Sequence, residues 1–356
     1  MRPANFNAGP AAMPLPVLEA MQRDLLDYQG KGLSVMEMSH RSDEFGEIAH
    51  RAEIDLRTLM GIPEHYRVLF MQGGASAQFA LTVQNLDING RVNFAKTGYW
   101  SEKAMNVAGA LSRVREIASC VTDPSIRIAL DERWPVESDA SYLHLTHNET
   151  IDGIRFKQLP ECEIPLVVDM SSSILSQPVD IERYALIYAG AQKNIGPAGV
   201  TVVIVRDDLL DRSLCNKVLP SVFSYAAMAK AGSMLNTPPC FAWYAAGLVF
   251  QWLREQGGLQ QMGERNEAKA AKVYQIIDQY DCYVNHVHPD NRSIMNIPFQ
   301  LNGRDLSSFL EGARERHLIG LKGHKSVGGI RVSLYNAVPD EAVNQLTDYL
   351  IEFAEQ

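Results

Sequence analysis

The chain has 356 residues, 46% of them hydrophobic and 21% charged, which is enough for a large core and two domains. A formal net charge of −9 argues against nucleic acid as the main partner, while leaving room for a locally basic pocket that takes a small anion. The five cysteines, Cys120, Cys162, Cys215, Cys240 and Cys282, form no CxxC pair, so free thiols fit better than a disulfide framework or a zinc site.

Along the chain, Pro3, Pro10, Pro14 and Pro16 make the first 16 residues an extended arm. No apolar run follows Met1-Arg2, so no signal peptide is read there. Of the two helices expected next, the second is the clearer. Phe45, Ile48, Ala49, Ala52, Leu56 and Leu59 fall on one of its faces. Ser42 caps it, Asp43 and Glu44 favour its first turn, and Gly61 with Pro63 ends it. Strands and helices then alternate. A strand over 67–71 enters Gly73-Gly74 and a helix over 75–86. A strand over 92–95 precedes a helix over 99–110, and further strands are read over 141–145, 165–169, 185–189 and 199–206. This alternation predicts an α/β fold with a mostly parallel sheet and helices on both faces. A helical stretch over 241–254 is the longest apolar run, and it is too short to span a bilayer. A cytoplasmic protein with no membrane partner is therefore expected.

The pattern changes near residue 255. Helices over 259–281, 305–315 and 339–355 interleave with strands over 282–287, 293–299 and 329–334. The expected division is an arm over 1–15 packing with the small domain, a large domain over 16–255 and a smaller α+β C-terminal domain over 256–356.

Ligands of open parallel sheets sit at the carboxyl ends of strands, and three features lie at such ends. Gln72-Gly73-Gly74-Ala75-Ser76 lets backbone approach a ligand and opens a helix whose free N–H groups suit a phosphate. Alone, it reads equally well as a tight strand-to-helix turn. Asp169 closes the apolar run Leu166-Val167-Val168, where a partly desolvated carboxylate wants a cation; alone, it reads as a helix cap before Ser171-Ser172-Ser173. Lys193 sits in Gly190-Ala191-Gln192-Lys193-Asn194-Ile195-Gly196-Pro197. A desolvated lysine there becomes a nucleophile for an aldehyde, whereas a solvated loop lysine would not. His144 with His147, and His286-Val287-His288 with Asp290, lack a third well-spaced ligand, so no metal is expected.

Asp169 and Lys193 on neighbouring strand ends resemble the fold-type I enzymes that use pyridoxal 5′-phosphate (PLP), which need a lysine to bond the cofactor and an acid for its ring nitrogen. Further segments narrow the resemblance to the phosphoserine aminotransferase family. They are Phe6-Asn7-Ala8-Gly9-Pro10, Met38-Ser39-His40-Arg41-Ser42, Gly73-Gly74-Ala75-Ser76-Ala77-Gln78-Phe79 and Thr97-Gly98-Tyr99-Trp100. Asn148-Glu149-Thr150-Ile151-Asp152-Gly153, the Lys193 loop, Asn236-Thr237-Pro238-Pro239 and Gly328-Gly329-Ile330-Arg331-Val332-Ser333 continue it in the same order over nearly the whole chain.

The resemblance implies a residue-by-residue site. Lys193 bonds the cofactor and shuttles protons, Asp169 pairs with the pyridine nitrogen, and Trp100 stacks on the ring. Thr150 hydrogen-bonds the cofactor, Ala75, Ser76 and Gln192 hold its phosphate, and Asn236 and Thr237 reach the phosphate bound by a partner subunit. His40, Arg41, His324, Lys325 and Arg331 bind the dianionic substrates, with Arg331 as a planar bidentate donor for a carboxylate. The implied activity moves an amino group between L-glutamate and 3-phosphohydroxypyruvate in serine biosynthesis, in a homodimer with shared sites. In some bacteria the family also aminates a related four-carbon keto acid on the route to pyridoxine, and the sequence leaves that activity open. Some family members carry arginine where this chain has Ser76 and Lys325, so phosphate contacts are expected to be fewer or differently placed. An alanine–glyoxylate or serine–glyoxylate aminotransferase is the nearest alternative, and would need fewer phosphate-binding cations. A cysteine desulfurase would need a loop cysteine in the C-terminal third, where none follows Cys282.

Overall fold

The computed structural model describes residues 2–123, 125–128, 134–210 and 219–356. Cys215 lies outside the described residues; Cys120, Cys162, Cys240 and Cys282 are free thiols.

An eight-stranded sheet forms the centre of the larger part. Its strands, in spatial order, are Tyr66–Met71, Thr201–Arg206, Leu186–Gly190, Leu166–Asp169, Leu143–Thr146, Arg91–Lys96, Arg113–Val121 and Arg127–Ile128. The middle of the sheet is parallel, and Thr201–Arg206 runs antiparallel to both of its neighbours. Side chains alternate between two apolar layers. Val68, Phe70, Val168, Ile187, Val202 and Ile204 face one core. Leu69, Met71, Val167, Leu186, Tyr188, Val203 and Val205 face the other. This is why these strands read as nearly unbroken apolar runs: helices cover both faces.

Because Thr201–Arg206 is the reversed strand, Tyr66–Met71 points the same way as the parallel strands beyond it. The carboxyl ends Met71, Lys96, Thr146, Asp169 and Gly190 therefore come to one edge of the sheet. Gly73 ends the turn after Met71 with φ +96, and a Cβ there would lie 2.6 Å from that of Ala77, so only glycine fits as the helix Gly74–Leu86 begins.

The C-terminal part packs the three-stranded sheet Tyr283–Val284, Asn296–Leu301 and Ile330–Ser333 against helices Leu306–Glu315 and Asp340–Glu355. Helix Gly258–Gln279 serves both parts: Leu259 and Met262 enter the first core, while Ala270, Val273 and Ile277 enter the third. The arm joins this third core through Phe6, and Ala4–Asn5 pairs in parallel with Leu318–Ile319.

Three local expectations change. The arm is shorter than 16 residues, since helix Leu15–Arg23 begins with Pro16 in its first turn, a position that tolerates proline. The strand expected over 282–287 is only Tyr283–Val284. The sheet also contains Arg113–Val121, whose charges Arg113, Arg115 and Glu116 and several exposed positions hide it from a search for apolar runs.

Candidate active site

A cavity of about 310 Å³ opens at the carboxyl edge of the sheet. Nine of the predicted residues line it: Ala75, Ser76, Trp100, Thr150, Asp169, Gln192, Lys193, His324 and Arg331. Ala8, Gly9, Gly74, Thr146, Asn148, Ile151, Ser171 and Ser172 complete the wall.

Lys193 follows strand Leu186–Gly190 through a tight turn, in which its N–H and that of Gly196 donate to Ala191 O at 2.7 and 2.8 Å. Asn194 fixes the loop by donating to Ile174 O (3.0 Å) and accepting from Asn336 N (3.0 Å). The Lys193 side chain is half-buried in the cavity wall, and its Nζ donates to Thr150 Oγ1 at 2.6 Å. Burial lowers its pKa to about 8; Asp169 and Glu149 oppose that shift, and Arg331 adds to it. A fraction of neutral amine near pH 8 is what a nucleophilic lysine needs.

Asp169 is 5% exposed. Burial raises its pKa, while hydrogen bonds from Ser171 and the nearby Lys193 charge pull it down. Ser171 N donates to its Oδ1 at 2.8 Å, so the turn expected from a helix-cap reading and a role in the cavity coexist.

On the far side, Arg331 comes from strand Ile330–Ser333, and its Nη1 lies 3.5 Å from Thr150 O. His324 packs its ring 5.4 Å from that of Tyr99, with Nδ1 2.6 Å from Ser326 Oγ. The arm crosses directly over the lysine loop: Ala11 N donates to Gln192 O (2.9 Å), and Tyr335 Oη donates to Ala8 O (2.9 Å).

Five predicted residues stand away from this cavity. Asn236 lines a separate apolar pocket with Phe70, Ala77 and Phe223, and Thr237 O accepts from Gln72 Nε2 at 3.1 Å. Arg41 and Lys325 are exposed, and His40 precedes Ser42, whose Oγ accepts from Phe45 N at 3.3 Å to cap helix Asp43–Met60. His40 Nε2 is buried without a hydrogen-bond partner.

Sequence reasoning missed Ala8 and Gly9, which only the paired arm brings to the site, and Thr146, which sits at a strand end without any motif. His144 and His147 are buried, with pKa lowered to about 3 and about 4 by loss of water; they are neutral. Among the described residues, no group of three or more His, Cys, Asp or Glu could hold a metal ion.

The donor set fits one cofactor class. An amine of lowered pKa and a buried carboxylate line the same cavity, and the opening turn of helix Gly74–Leu86 lines it too. Two polar atoms on the wall, Trp100 Nε1 and Thr146 Oγ1, are buried without partners. An aldehyde for Lys193, a protonated ring nitrogen for Asp169 and a phosphate for the Gly74-Ala75-Ser76 backbone describe PLP.

The family Aminotransferase class-V matches residues 4–346. The phosphoserine aminotransferase of Acinetobacter baylyi is 52% identical over 359 residues, covering 100% of this chain and 99% of its own. The structure of phosphoserine aminotransferase from Bacillus circulans subsp. alkalophilus superposes with a TM-score of 0.95 at 43% identity, over 99% of each chain. That of the PLP-bound enzyme from Trichomonas vaginalis gives 0.93 at 40% identity, over 98% of this chain and 100% of the other.

Proposed function

The chain belongs to the class-V aminotransferases, and within them to the phosphoserine aminotransferase family; on that premise we propose how its residues perform the transfer between L-glutamate and 3-phosphohydroxypyruvate that yields O-phospho-L-serine and 2-oxoglutarate. The observation that carries the reading is the meeting of Lys193, Asp169, Thr150 and Arg331 in one cavity.

PLP, when bound, supplies an electron sink for the bond pair released at the substrate α-carbon. Lys193 Nζ is the group that bonds the cofactor and that moves the proton to and from the α-carbon. Its lowered pKa leaves it able to accept that proton near neutral pH. Asp169 holds positive charge on the ring nitrogen, which a buried carboxylate that wants a cationic partner does well. Thr150 orients the amine before and after transfer. Trp100 and Ile151 exclude water from the ring's surroundings. Arg331 takes the substrate carboxylate as a two-pronged donor.

The reading includes a homodimer, inferred from the family resemblance: Asn236 and Thr237, which stand away from this chain's cavity, reach a partner's site, and His40, Arg41 and Lys325 contact the substrate phosphate. An active monomer in sedimentation would overturn that part. The division into an arm over 1–15, a large domain over 16–255 and a small domain over 256–356 is proposed with it, supported by the separate core of the C-terminal part. Among the described residues no helix is long and apolar enough to cross a membrane, and we place the enzyme in the cytoplasm.

The test is a visible absorption titration of the PLP-loaded protein. O-phospho-L-serine should bleach the cofactor band while L-serine at the same concentration does not. Equal bleaching by serine or alanine would move the assignment to a neighbouring aminotransferase.

A further inference from the structure

The segment Asn148-Glu149-Thr150-Ile151-Asp152-Gly153 has more structure than its Thr150 requires. The helix Tyr99–Gly109, which carries Trp100 in its first turn, begins against it. A helix start leaves its first N–H groups without intrahelical partners and concentrates positive potential there. Here Tyr99 N donates to Asp152 Oδ2 at 2.9 Å, Trp100 N to Glu149 Oε2 at 2.9 Å and Ser101 N to Glu149 Oε1 at 2.9 Å. Ser101 Oγ accepts from Thr97 N and Gly98 N at 2.8 and 2.9 Å and closes the turn from its other side. Gly98 is extended, and its need is space: a Cβ would lie 2.5 Å from Asp152 Oδ2 and 2.8 Å from Glu149 Cδ.

The segment is itself fixed. Asn148 Nδ2 donates to Ser172 Oγ at 2.8 Å and to Asn296 Oδ1 at 2.9 Å. Gly153 N donates to Glu149 O at 2.9 Å, and Gly153 abuts Pro298 so closely that a Cβ would fall 2.2 Å from Pro298 Cδ. One rigid frame thus presents Thr150 to Lys193 on one side and grips the helix of Trp100 on the other.

A surface cap needs only one short polar side chain. Two adjacent carboxylates, with Glu149 fully buried, are a costly way to start a helix. Burial and the Asp152 charge push the Glu149 carboxyl up to about 7, while the hydrogen bonds from Ser101 and Trp100 hold it down. Such an arrangement is warranted where the position of the helix matters more than its stability.

We propose that Glu149, assisted by Asp152, is a positioning residue that holds Trp100 at the wall of the site through the backbone of its helix. The proposal rests on the reading that Trp100 packs on the PLP ring. Glu149 is suited to it because a carboxylate offers two acceptor oxygens, one for each N–H. An amide in its place has one oxygen, and its NH₂ would meet an N–H.

The test is a double-variant cycle on PLP affinity, measured by titrating PLP into the cofactor-free protein and following the visible band. Trp100→Ala and Glu149→Gln should each weaken PLP binding, Glu149→Gln by about tenfold, the order expected for one unsatisfied buried N–H. The double variant should bind within about twofold of Trp100→Ala alone, because Glu149 acts through Trp100. A purely structural role would instead lower affinity by the same factor in either background, and that additivity would overturn the proposal, as would an unchanged affinity in Glu149→Gln. An unchanged affinity in Trp100→Ala would overturn the reading of Trp100 itself, a separate outcome. Should Glu149→Gln fail to fold, the same cycle with Asp152→Asn, which weakens the contact to Tyr99 and leaves both Glu149 oxygens in place, carries the same criterion with a smaller effect.

Discussion

Two buried lysines in this molecule have the same depressed pKa and opposite surroundings. Lys193 and Lys269 are each lowered to about 8, in both cases first by loss of water. Lys269 lies on helix Gly258–Gln279 beside a larger cleft of about 680 Å³ between the arm and the C-terminal part. Its Nζ reaches Tyr335 O at 3.1 Å, Val338 O at 3.2 Å and Leu334 O at 3.5 Å. Those carbonyls occupy the donors of an ammonium and stitch the helix to the turn after strand Ile330–Ser333. Lys193 has one short contact, to a hydroxyl, and a carboxylate nearby on the wall of an open cavity. A lowered pKa therefore reports burial in both places. Chemistry requires in addition an amine with unfilled hydrogen-bonding capacity and room for a reacting partner.

That contrast can be broken by substitution. Lys193→Ala should cost about 10²–10⁴-fold in transamination from lost proton transfer alone, with no loss of fold in urea unfolding. Lys269→Met should retain specific activity while lowering stability by about 2 kcal/mol, since backbone carbonyls lose their donor. Inactivity of well-folded Lys269→Met would reverse the assignment of the two lysines. Asp169→Ala, assayed at saturating PLP, should lose about 10²-fold in rate, the scale of one preorganised electrostatic contact; a near-normal rate would remove Asp169 from the chemistry. Arg331→Ala should raise KM for glutamate by about tenfold or more through a lost charge-assisted pair. A further effect concerns pH. Both amines fall from 10.5 to about 8 on folding. Between those values the unfolded chain binds more protons, so the stability of the cofactor-free protein should rise with pH there. The rise should be shallower in Lys193→Met and in Lys269→Met than in the parent protein, read from urea midpoints between pH 8 and 10.

How much of this was legible in sequence follows from what each residue answers to. Asp169 is visible because the apolar run Leu166-Val167-Val168 ends in a charge, and Lys193, three residues past the end of strand Leu186–Gly190, becomes suggestive only in combination with it. The cap of helix Asp43–Met60 was equally plain, since Ser42, Gly61 and the apolar face agree. Arg113–Val121 was not legible: it opens on the charges Arg113, Arg115 and Glu116, lies next to the last strand of the sheet, and pairs with Arg91–Lys96, some twenty residues earlier. Lys269 was silent for the same reason, as its acceptors lie more than sixty residues away. Ala8 and Gly9 enter the cavity through long-range contacts of the arm, its pairing with Leu318–Ile319 and its bonds to Gln192 and Tyr335. Glu149 and Asp152 fall within a family motif, yet their work depends on the start of another helix.

The central claim, that Lys193 and not Lys269 bonds the cofactor, is tested most directly by reducing the PLP-loaded protein with borohydride and mapping the modified peptide by mass spectrometry. The account predicts a pyridoxyl group on Lys193 in stoichiometric yield. Its appearance on Lys269, or on no lysine while the visible band persists, would contradict it.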